Sequence, residues 1–277
     1  MRLIVFPYGG LANRMRAIDS AINMQNDGLC KVKILWYKDQ QCGCAFTDIF
    51  SPVKEVKDLK TTKVYRLVMR ILLSKNCMIR SVLYILQRMR FFRWYPKEDI
   101  DGPYNFACLK EGRYLVVLME TWEYFYEKDK FNSDYIKIKD NATYNSCCAH
   151  IDGNTIGVHI RRGDHKLSIQ NSPLDLFESA MMAEHKKNIN TNYLLCTDDD
   201  GIKDYFSNSV LWRNIVYIPA GVISRDSTEG IKQAAGEMYA LSKTRKIIGS
   251  YWSSFSLMAA KLGGIDVNVM CKDDSNV

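Results

Sequence analysis

The sequence lacks any hydrophobic run long enough to cross a membrane or to serve as a secretory signal. Its apolar-rich start, residues 2–6, stops at a Pro-Tyr-Gly-Gly turn, whereas a membrane-spanning helix needs about 20 apolar residues. We therefore expect neither an exported nor a membrane-spanning form. Internal repeats and low-complexity tracts are also missing, and 47% hydrophobic residues in a chain of 277 are ample for one or two globular cores.

Paired cysteine motifs of the kind that bind zinc are absent as well. The nine cysteines are odd in number and scattered, without two Cys-x-x-Cys units. This usage fits reduced thiols in a cytosolic protein. The close pairs Cys42/Cys44 and Cys147/Cys148 leave a metal or redox role open, although no partner cluster accompanies either pair.

Acidic residues are missing from residues 64–95, where arginines and one lysine account for the whole net charge of +7. Apolar residues recur between these bases at helical spacing, which predicts an amphipathic helix. Two interpretations remain open. The segment is either a helical insertion packed on the N-terminal domain, or a surface that docks on anionic lipid or an acidic polymer. In the second case the exposed anchors would be Phe91, Phe92, Trp94 and Tyr95. Nucleic-acid binding is not expected, because no reader fold surrounds the segment.

The second half contains a regular alternation of short β-type runs and helical patterns. Strands are predicted at residues 155–160, 193–196, 215–218, 246–248 and 267–269, and helices at 174–187, 201–206, 229–243 and 254–262. Five buried strands separated by helices predict a parallel, doubly wound sheet.

The first half is less regular but also suits an α/β domain. It shows strands at 2–6, 31–37 and 114–118 and a helix at 12–26. We predict an α/β fold of two Rossmann-like domains whose parallel sheets face a central cleft. The first domain covers 1–150 and includes the basic segment 64–95, and the second covers 151–277. Their boundary falls near the polar stretch 141–154.

The strongest chemical signal lies where the strand at 155–160 ends. His159 is followed after one residue by Arg161, Arg162, Gly163 and Asp164. Ligands of parallel α/β sheets collect beyond the carboxyl ends of strands. Two adjacent arginines there suit a diphosphate, because guanidinium groups bind phosphate oxygens bidentately. An ordinary strand-end salt bridge to Asp164 is the alternative.

A cluster of hydroxyl residues, 250–256, precedes the helix at 254–262. The cluster includes Ser253, Ser254 and Ser256 beside Phe255. Serines cap helix starts, and the free amides and dipole of a helix N-terminus favour a phosphate. Capping explains one serine better than it explains three.

Thr197, Asp198, Asp199 and Asp200 follow the strand at 193–196 and are expected at the same sheet edge. The Asp-x-Asp spacing is compatible with a divalent cation. We favour helix capping with nucleotide contact, because arginines and a metal would neutralise the same phosphates.

Two further segments are weaker signals. Glu237 lies on the predicted helix before the serine cluster, and its carboxylate would suit the paired N–H donors of guanine, although an exposed helix charge is an equal alternative. Gly9 and Gly10 lead through Asn13 into the first helix, and this turn could face phosphate or sugar.

Taken in order, these segments resemble the superfamily of α-1,2-, α-1,6- and protein O-fucosyltransferases. Residues 9–14 are similar to its N-terminal Gly-Asn loop, and residues 159–164 match its His-x-Arg-Arg-x-Asp motif. Residues 197–199 resemble its Thr-Asp-Asp motif, and residues 253–256 resemble its last phosphate-binding motif. Glu237 stands where relatives carry a guanine-reading acid.

This resemblance implies a GT-B arrangement with inverting transfer of L-fucose from GDP-fucose to a glycan hydroxyl and no required metal or other cofactor. By the same resemblance Arg161 and Arg162 hold the β-phosphate. We predict Arg161 and Asp164 as the catalytic residues. His159 and Glu237 contact guanine or ribose. Relatives that place a glutamate after the arginine motif use it as general base. Here that glutamate is missing, and Asp164, then His165, then Asp19 are the candidates.

The remaining donor-binding residues also follow from the resemblance. Asp198 and Asp199 orient the nucleotide, while Gly10 and Asn13 close on the donor from the first domain. The residues that surround the phosphates are Ser253, Ser254, Phe255 and Ser256.

The expected role is surface-polysaccharide or glycoconjugate synthesis in the cytoplasm, with a glycan or lipid-linked glycan as acceptor. Through residues 64–95 the protein would lie peripherally on the inner face of the membrane. Transfer of another nucleotide sugar, or non-catalytic binding of a nucleotide sugar or glycan, remain the alternatives.

Overall fold

The computed structural model describes residues 1–96, 114–163 and 165–272, and these form two compact units. Unit 1 consists of Met1–Lys139 and Arg225–Ile231, and unit 2 of Asp140–Ser224 and Lys232–Val277. The sequence prediction divides the chain after residue 150. The return of residues 225–231 to unit 1 has no sequence signature, because contacts far apart in the chain decide it. Gly43 N, for example, donates to Arg225 O at 2.8 Å.

Unit 1 is built on a parallel sheet in the order β3-β2-β1-β5-β4. Its strands are β1 (Arg2–Pro7), β2 (Lys31–Trp36), β3 (Val56–Asp58), β4 (Phe92–Tyr95) and β5 (Val116–Thr121). Its helices are α1 (Leu11–Asn26), α2 (Phe46–Ile49), α3 (Thr62–Leu72) and α4 (Cys77–Arg88). Met15, Ile18 and Ile22 of α1 are fully buried. Their spacing of three and four residues puts them on one helix face, which anchors α1 in the core.

Unit 2 repeats this plan with the order β10-β9-β6-β7-β8. Its strands are β6 (Thr155–Ile160), β7 (Asn192–Thr197), β8 (Val216–Tyr217), β9 (Ile247–Ser250) and β10 (Val267–Met270). Its helices are α5 (Ala142–Cys148), α6 (Lys166–Asn171), α7 (Leu174–Lys187), α8 (Asp200–Asn208), α9 (Thr228–Leu241), whose first turn belongs to unit 1, and α10 (Ser254–Gly263).

The core of unit 2 lies around its central strand. Every residue of β6 is buried, as expected for a parallel strand that is covered on both faces. Ile156, Val158 and Ile160 pack with Phe177 of α7 and with Trp212. This core holds the carboxyl ends of β6, β7 and β9 in fixed positions.

The predicted fold class is confirmed: the chain is α/β, with two five-stranded parallel sheets. All five strands predicted in the second half are present, and β6 has the predicted bounds. The sequence analysis missed β3 and β4, which are edge strands of only three and four residues. Within the described residues, the helices are too short or too polar to span a bilayer.

Residues 64–95 form two helices and a strand, so the prediction of one amphipathic segment needs correction. Asn76 ends the connection between α3 and α4, and its side chain accepts hydrogen bonds from the amides of Met78 and Ile79 at 3.0 and 3.3 Å. The predicted aromatic anchors also divide. Tyr95 is buried because β4 pairs with β5, whereas Phe91 is 47% exposed.

The polar stretch 141–154, near which the domain boundary was predicted, contains helix α5. Asn141 caps this helix by accepting from the amide of Tyr144 at 2.9 Å. Polar composition resembles a linker, yet a capping asparagine also starts a helix. The Asn141 side chain further donates to Lys232 O at 2.9 Å, which joins α5 to α9.

Candidate functional site

The sheet of unit 2 brings three strand ends together at its carboxyl edge. Central β6 pairs with β7 on one side and β9 on the other, and Ile160 lies opposite Thr197. Arg161 and Asp198 therefore leave the sheet side by side. Their proximity follows from parallel register alone, and it supports the expectation that charged groups gather at this edge.

Arg161 is held from two directions. Its amide donates to Ser250 Oγ on β9 at 2.8 Å. Its guanidinium Nη1 lies 2.7 Å from Asp198 Oδ2, and its side chain is 18% exposed. A charge-assisted bond of this kind fixes the guanidinium and leaves part of it accessible. The group is therefore a preorganised cation that an anionic ligand can reach.

Arg162 has different partners. Its amide donates to Asp198 Oδ1 at 2.7 Å, and its guanidinium donates to Arg161 O at 3.0 Å and Ser172 O at 2.9 Å. The guanidinium carbon lies 6.0 Å from the ring centroid of Phe177. Burial lowers the pKa of Arg162. These contacts hold the loop after β6 against the core.

Asp198, Asp199 and Asp200 are separated by their contacts. Asp198 bridges the two arginines, whereas Asp199 caps α8 by accepting from Ile202 N at 2.9 Å. The predicted helix capping is confirmed for Asp199. Asp200 turns outward and pairs with Lys203 at 3.2 Å. No cluster of three His, Cys, Asp or Glu residues suited to a metal occurs in the described parts of the chain.

His159 lies behind the arginines and is only 4% exposed. Its ring stacks on Phe255 at 4.6 Å between centroids, and its Nδ1 lies 3.4 Å from Ser253 Oγ. Burial, and then the charge of Arg161, lower the pKa of His159 to about 3. A neutral imidazole therefore joins β6 to the start of α10.

The serine cluster forms the turn from β9 into α10. Trp252 has φ 56°, a left-handed conformation that is costly for a residue with a side chain. Ser253 is the N-cap residue, yet its side chain makes no capping hydrogen bond. The first amides of α10 are thus left for another acceptor. The hydroxyl of Ser256 is buried and donates to Ser253 O at 3.3 Å.

The start of α10 lies very close to β9. A Cβ on Gly249 would lie 2.7 Å from Ser256 Oγ and 2.8 Å from Ser256 Cβ. Glycine at this position therefore lets the helix tip approach the strand end. Ser250, the next residue, accepts a hydrogen bond from the amide of Arg161. Strand β9 therefore joins α10 to the arginine loop, which is the loop after β6 that carries Arg161 and Arg162.

Glu237 lies on α9 and is half-buried. Burial raises the pKa of its carboxyl to about 7, while a hydrogen bond from Gln233 and the charge of Lys203 act in the opposite direction. The Gln233 amide donates to Glu237 Oε1 at 2.8 Å. The negative charge of Asp198 adds to the upward shift, which places Glu237 in the same electrostatic environment as the arginine loop.

Comparisons with known proteins give matches by structure only. No protein-family model and no curated protein matches the sequence. Arabidopsis thaliana FUT1, solved as an Arg-to-Lys mutant in complex with GDP, is 14% identical over 99% of this chain and 71% of that one, with a TM-score of 0.62. Fucosyltransferase NodZ from Bradyrhizobium is 17% identical over 93% and 91% of the chains, with a TM-score of 0.55. POFUT1 in complex with GDP is 9% identical over 97% and 98%, with a TM-score of 0.57.

The chain has the fold of a fucosyltransferase. The resemblance predicted from its motifs is therefore confirmed at the level of fold, across nearly the whole chain. NodZ, an α-1,6-fucosyltransferase, has also been solved after soaking with GDP-fucose.

Within this fucosyltransferase fold the predicted donor residues fall into two groups. Gly10 and Asn13 lie at the start of α1 in unit 1, where no side chain caps the helix. The rest lie in unit 2, and the structure brings His159, Arg161 and the α10 turn into one connected network. Asp164 lies outside the described residues.

The two other predicted general bases carry structural hydrogen bonds. Asp19 is fully buried, and its Oδ1 accepts from the amide and side chain of Asn132 at 2.9 and 2.8 Å. His165 caps α6, because its Nδ1 accepts from Ser168 N at 3.2 Å, and the same atom lies 2.9 Å from Ser168 Oγ. Both contacts favour a role in stability.

Two buried serines that the sequence reading missed brace the turn into α10. Ser168 Oγ donates to Tyr251 O at 2.6 Å, and Ser172 Oγ accepts from Tyr251 N at 2.7 Å. Both serines are 0% exposed. The available signal was their spacing of four residues, which puts them on one face of the short helix α6 and its C-cap.

Unit 1 contains a second polar group that the sequence reading missed. Glu120, at the carboxyl end of β5, is 5% exposed and accepts a hydrogen bond from the Tyr65 hydroxyl. Tyr37 stacks on Tyr65 with ring centroids 4.1 Å apart. The carboxylate borders a cavity of about 400 Å³ lined by Tyr65, Arg66, Met69, Arg70, Leu73, Trp94, Pro96 and Glu120. Aromatic walls with a few polar groups suit a small hydroxylated ligand.

Proposed function

We propose that the protein is an inverting glycosyltransferase that moves L-fucose from GDP-fucose to a hydroxyl of a glycan acceptor. One observation carries the proposal: Arg161 is fixed at the carboxyl edge of the unit 2 sheet and bonded through Ser250 to the strand that leads into an uncapped helix N-terminus. Proteins with this fold have been solved in complex with GDP or after soaking with GDP-fucose, which supports a GDP-sugar donor.

The chemistry requires negative charge on the departing GDP to be stabilised while positive character develops on the sugar. Arg161 supplies a cation that is already oriented by Asp198, and the amides of α10 supply dipoles. Groups that need no reorganisation are the most effective, and losing one commonly costs about 100-fold or more in rate. The acceptor hydroxyl would attack the face opposite the leaving group, assisted by a general base.

The other side chains receive separate roles in this proposal. Glu237 reads the N–H donors of guanine when it is ionised. Arg162 and Asp198 hold Arg161 in place, and neutral His159 positions Ser253 and the first turn of α10. No metal is required for neutralising the diphosphate, because the guanidinium and helix amides serve that purpose.

We propose that the acceptor binds in the cavity beside Glu120 in unit 1. The Glu120 carboxylate accepts hydrogen bonds from sugar hydroxyls, while the rings of Tyr65 and Trp94 provide flat apolar surface. The biological setting that fits is synthesis of surface polysaccharide or glycoconjugates in the cytoplasm, with a glycan or lipid-linked glycan as acceptor.

The test of the proposal is Arg161→Ala. We expect transfer from GDP-fucose to fall by about 100-fold or more. Arg161→Lys should keep part of the activity, because lysine retains the positive charge but not the bidentate geometry of the guanidinium. Lys186→Ala, on the exposed end of α7, is the control and should keep full activity. Normal turnover by Arg161→Ala would refute the proposal.

Two alternatives remain, and one set of measurements separates them. A transferase for a different sugar would hydrolyse another nucleotide sugar faster than GDP-fucose in a released-nucleotide assay. A non-catalytic binding protein would bind GDP-fucose without turnover on a broad acceptor panel. Calorimetric titration with GDP, UDP and GDP-fucose shows which nucleotide the protein binds. Repeating it with a chelator tests whether binding requires a metal.

A further inference from the structure

Helix α4 exposes a stripe of apolar side chains along its full length. Met78, Val82, Ile85 and the C-cap residue Met89 are 76%, 56%, 53% and 61% exposed. Their alternating spacing of four and three residues puts them on one face of the helix. No residue of α4 is buried, so this face is a feature of the surface.

Helix α3 repeats the arrangement. Leu67 and Ile71 lie one turn apart and are 57% and 44% exposed, and Leu73 beyond the helix is 62% exposed. The opposite face of α3 is anchored, because Met69 packs on Phe6 and Tyr37 of the unit 1 core. The exposed apolar residues are therefore surplus to the packing of the helix.

Each helix also carries basic residues. Arg66 and Arg70 lie one turn apart on α3, and Arg80 and Arg88 lie two turns apart on α4, with Tyr84 between them at 63% exposure. Residues 64–95 contain no acid, and these four arginines form no ion pair with the described parts of the chain. Their charge is available to an external partner.

We propose that this surface docks the protein on an anionic lipid bilayer. The docking surface is defined by its apolar residues Leu67, Ile71, Met78, Val82, Ile85 and Met89 and its basic residues Arg80 and Arg88, whereas Arg66, Arg70 and Leu73 line the cavity beside Glu120. Apolar side chains next to unpaired bases are typical of interfacial helices, which bury the former at the acyl boundary and leave the latter among anionic headgroups.

Charge and length decide between a bilayer and other occupants. The two helices have 11 and 12 residues, too few to cross a membrane of about 30 Å, so contact is peripheral. A second copy of the chain would set arginines against arginines, which is unfavourable. The inference does not depend on the proposed transferase activity, because lipid binding can be measured without donor or acceptor.

The experiment is sedimentation of the full chain with vesicles of phosphatidylcholine alone or with about 30 mol% phosphatidylglycerol, at about 50 to 500 mM salt. We expect binding to the anionic vesicles only, and weaker binding as salt increases. Arg80→Glu/Arg88→Glu should reduce partitioning by at least about 25-fold, since each lost base costs about fivefold. Val82→Ser/Ile85→Ser should also weaken vesicle binding, and the difference from the parent protein should remain at high salt, because salt does not screen apolar contacts.

Matched controls lie on unit 2. Lys186→Glu/Lys243→Glu changes the net charge equally, and Ile189→Ser/Val210→Ser removes apolar residues that are 73% and 79% exposed. Both control variants should bind vesicles like the parent protein. Because α4 buries none of its residues, all variants should keep the parent's circular dichroism and GDP affinity.

Two results would overturn the proposal. Equal binding to neutral and anionic vesicles, or none to either, would exclude docking through charge. Oligomers of the parent that dissociate in Val82→Ser/Ile85→Ser, measured by light scattering, would show that the face joins copies of the chain instead.

Discussion

At the scale of single residues, two adjacent arginines with the same sequence signal have different surroundings. Arg161 is oriented by a carboxylate and stays partly exposed, whereas Arg162 donates to two main-chain carbonyls. We infer that the first contacts ligand and the second holds the loop. The contrast is measurable, because binding and stability respond to different contacts.

Arg162→Ala should lower the free energy of unfolding by about 2 kcal/mol, since two carbonyls lose a charged donor. Arg161→Ala should affect stability less and GDP affinity more. Urea denaturation and calorimetry on both variants check this. Equal loss of stability in the two variants would contradict the division of roles.

Glu237 predicts a pH dependence of donor binding. Its pKa is raised to about 7 by burial, so the carboxyl is protonated at pH 6 and ionised at pH 8. An ionised carboxylate accepts both N–H donors of guanine, so GDP affinity should rise across this interval. Glu237→Gln should bind GDP more weakly than the parent protein at pH 8, and its GDP affinity should increase less between pH 6 and pH 8. The same titration on both proteins separates this effect from ionisation of the nucleotide.

The same shift affects stability. A group whose pKa is raised on folding binds its proton more tightly in the folded state. Its contribution to stability is therefore full below pH 4.5, the unfolded value, and is lost as pH rises through about 7. Glu237→Gln should remove this part of the pH dependence of unfolding.

At the scale of elements, the close packing of α10 against β9 determines where the N-terminus of α10 lies in the proposed phosphate site. Gly249→Ala would force its Cβ to within 2.8 Å of the Ser256 side chain. We expect the helix tip to move outward and GDP affinity to fall by about tenfold, from overpacking. The double variant Gly249→Ala/Ser256→Gly removes the clash and should regain part of the affinity.

That double variant also tests Ser256 itself. The sequence prediction placed its hydroxyl among the phosphate ligands, whereas in the structure it is buried and bonded to Ser253 O. If Ser256→Gly alone abolishes GDP binding in a folded protein, a direct contact is supported and rescue by the double variant is not expected.

At the scale of the whole molecule, the two units have separate tasks in the proposed function. Glu120→Gln in unit 1 should raise the acceptor KM by about tenfold, because one hydrogen bond to a charged group is lost. GDP affinity should not change, because the side chains that the proposal assigns to the nucleotide, such as Arg161 and Glu237, lie in unit 2. Asp129→Asn, on the surface of unit 1, is the control. A parallel loss of GDP affinity in Glu120→Gln would argue against this division.

The sequence by itself determined the alternation of strands and helices, the parallel sheet of unit 2 and the strand end that carries Arg161. These follow from local periodicity and from the rule that parallel strands end at one edge. It also indicated the α/β class of the first half, although β4 and the break between α3 and α4 were missed.

Only the tertiary structure decided that Arg161 pairs with a carboxylate while Arg162 donates to main-chain carbonyls, that His159 is buried and neutral, and that Glu120 borders a cavity. The contacts responsible join residues such as Arg161 and Ser250, or Tyr65 and Glu120, that are far apart in the chain. Local sequence pattern carries no record of such pairs, because they are set by how the sheets and helices pack.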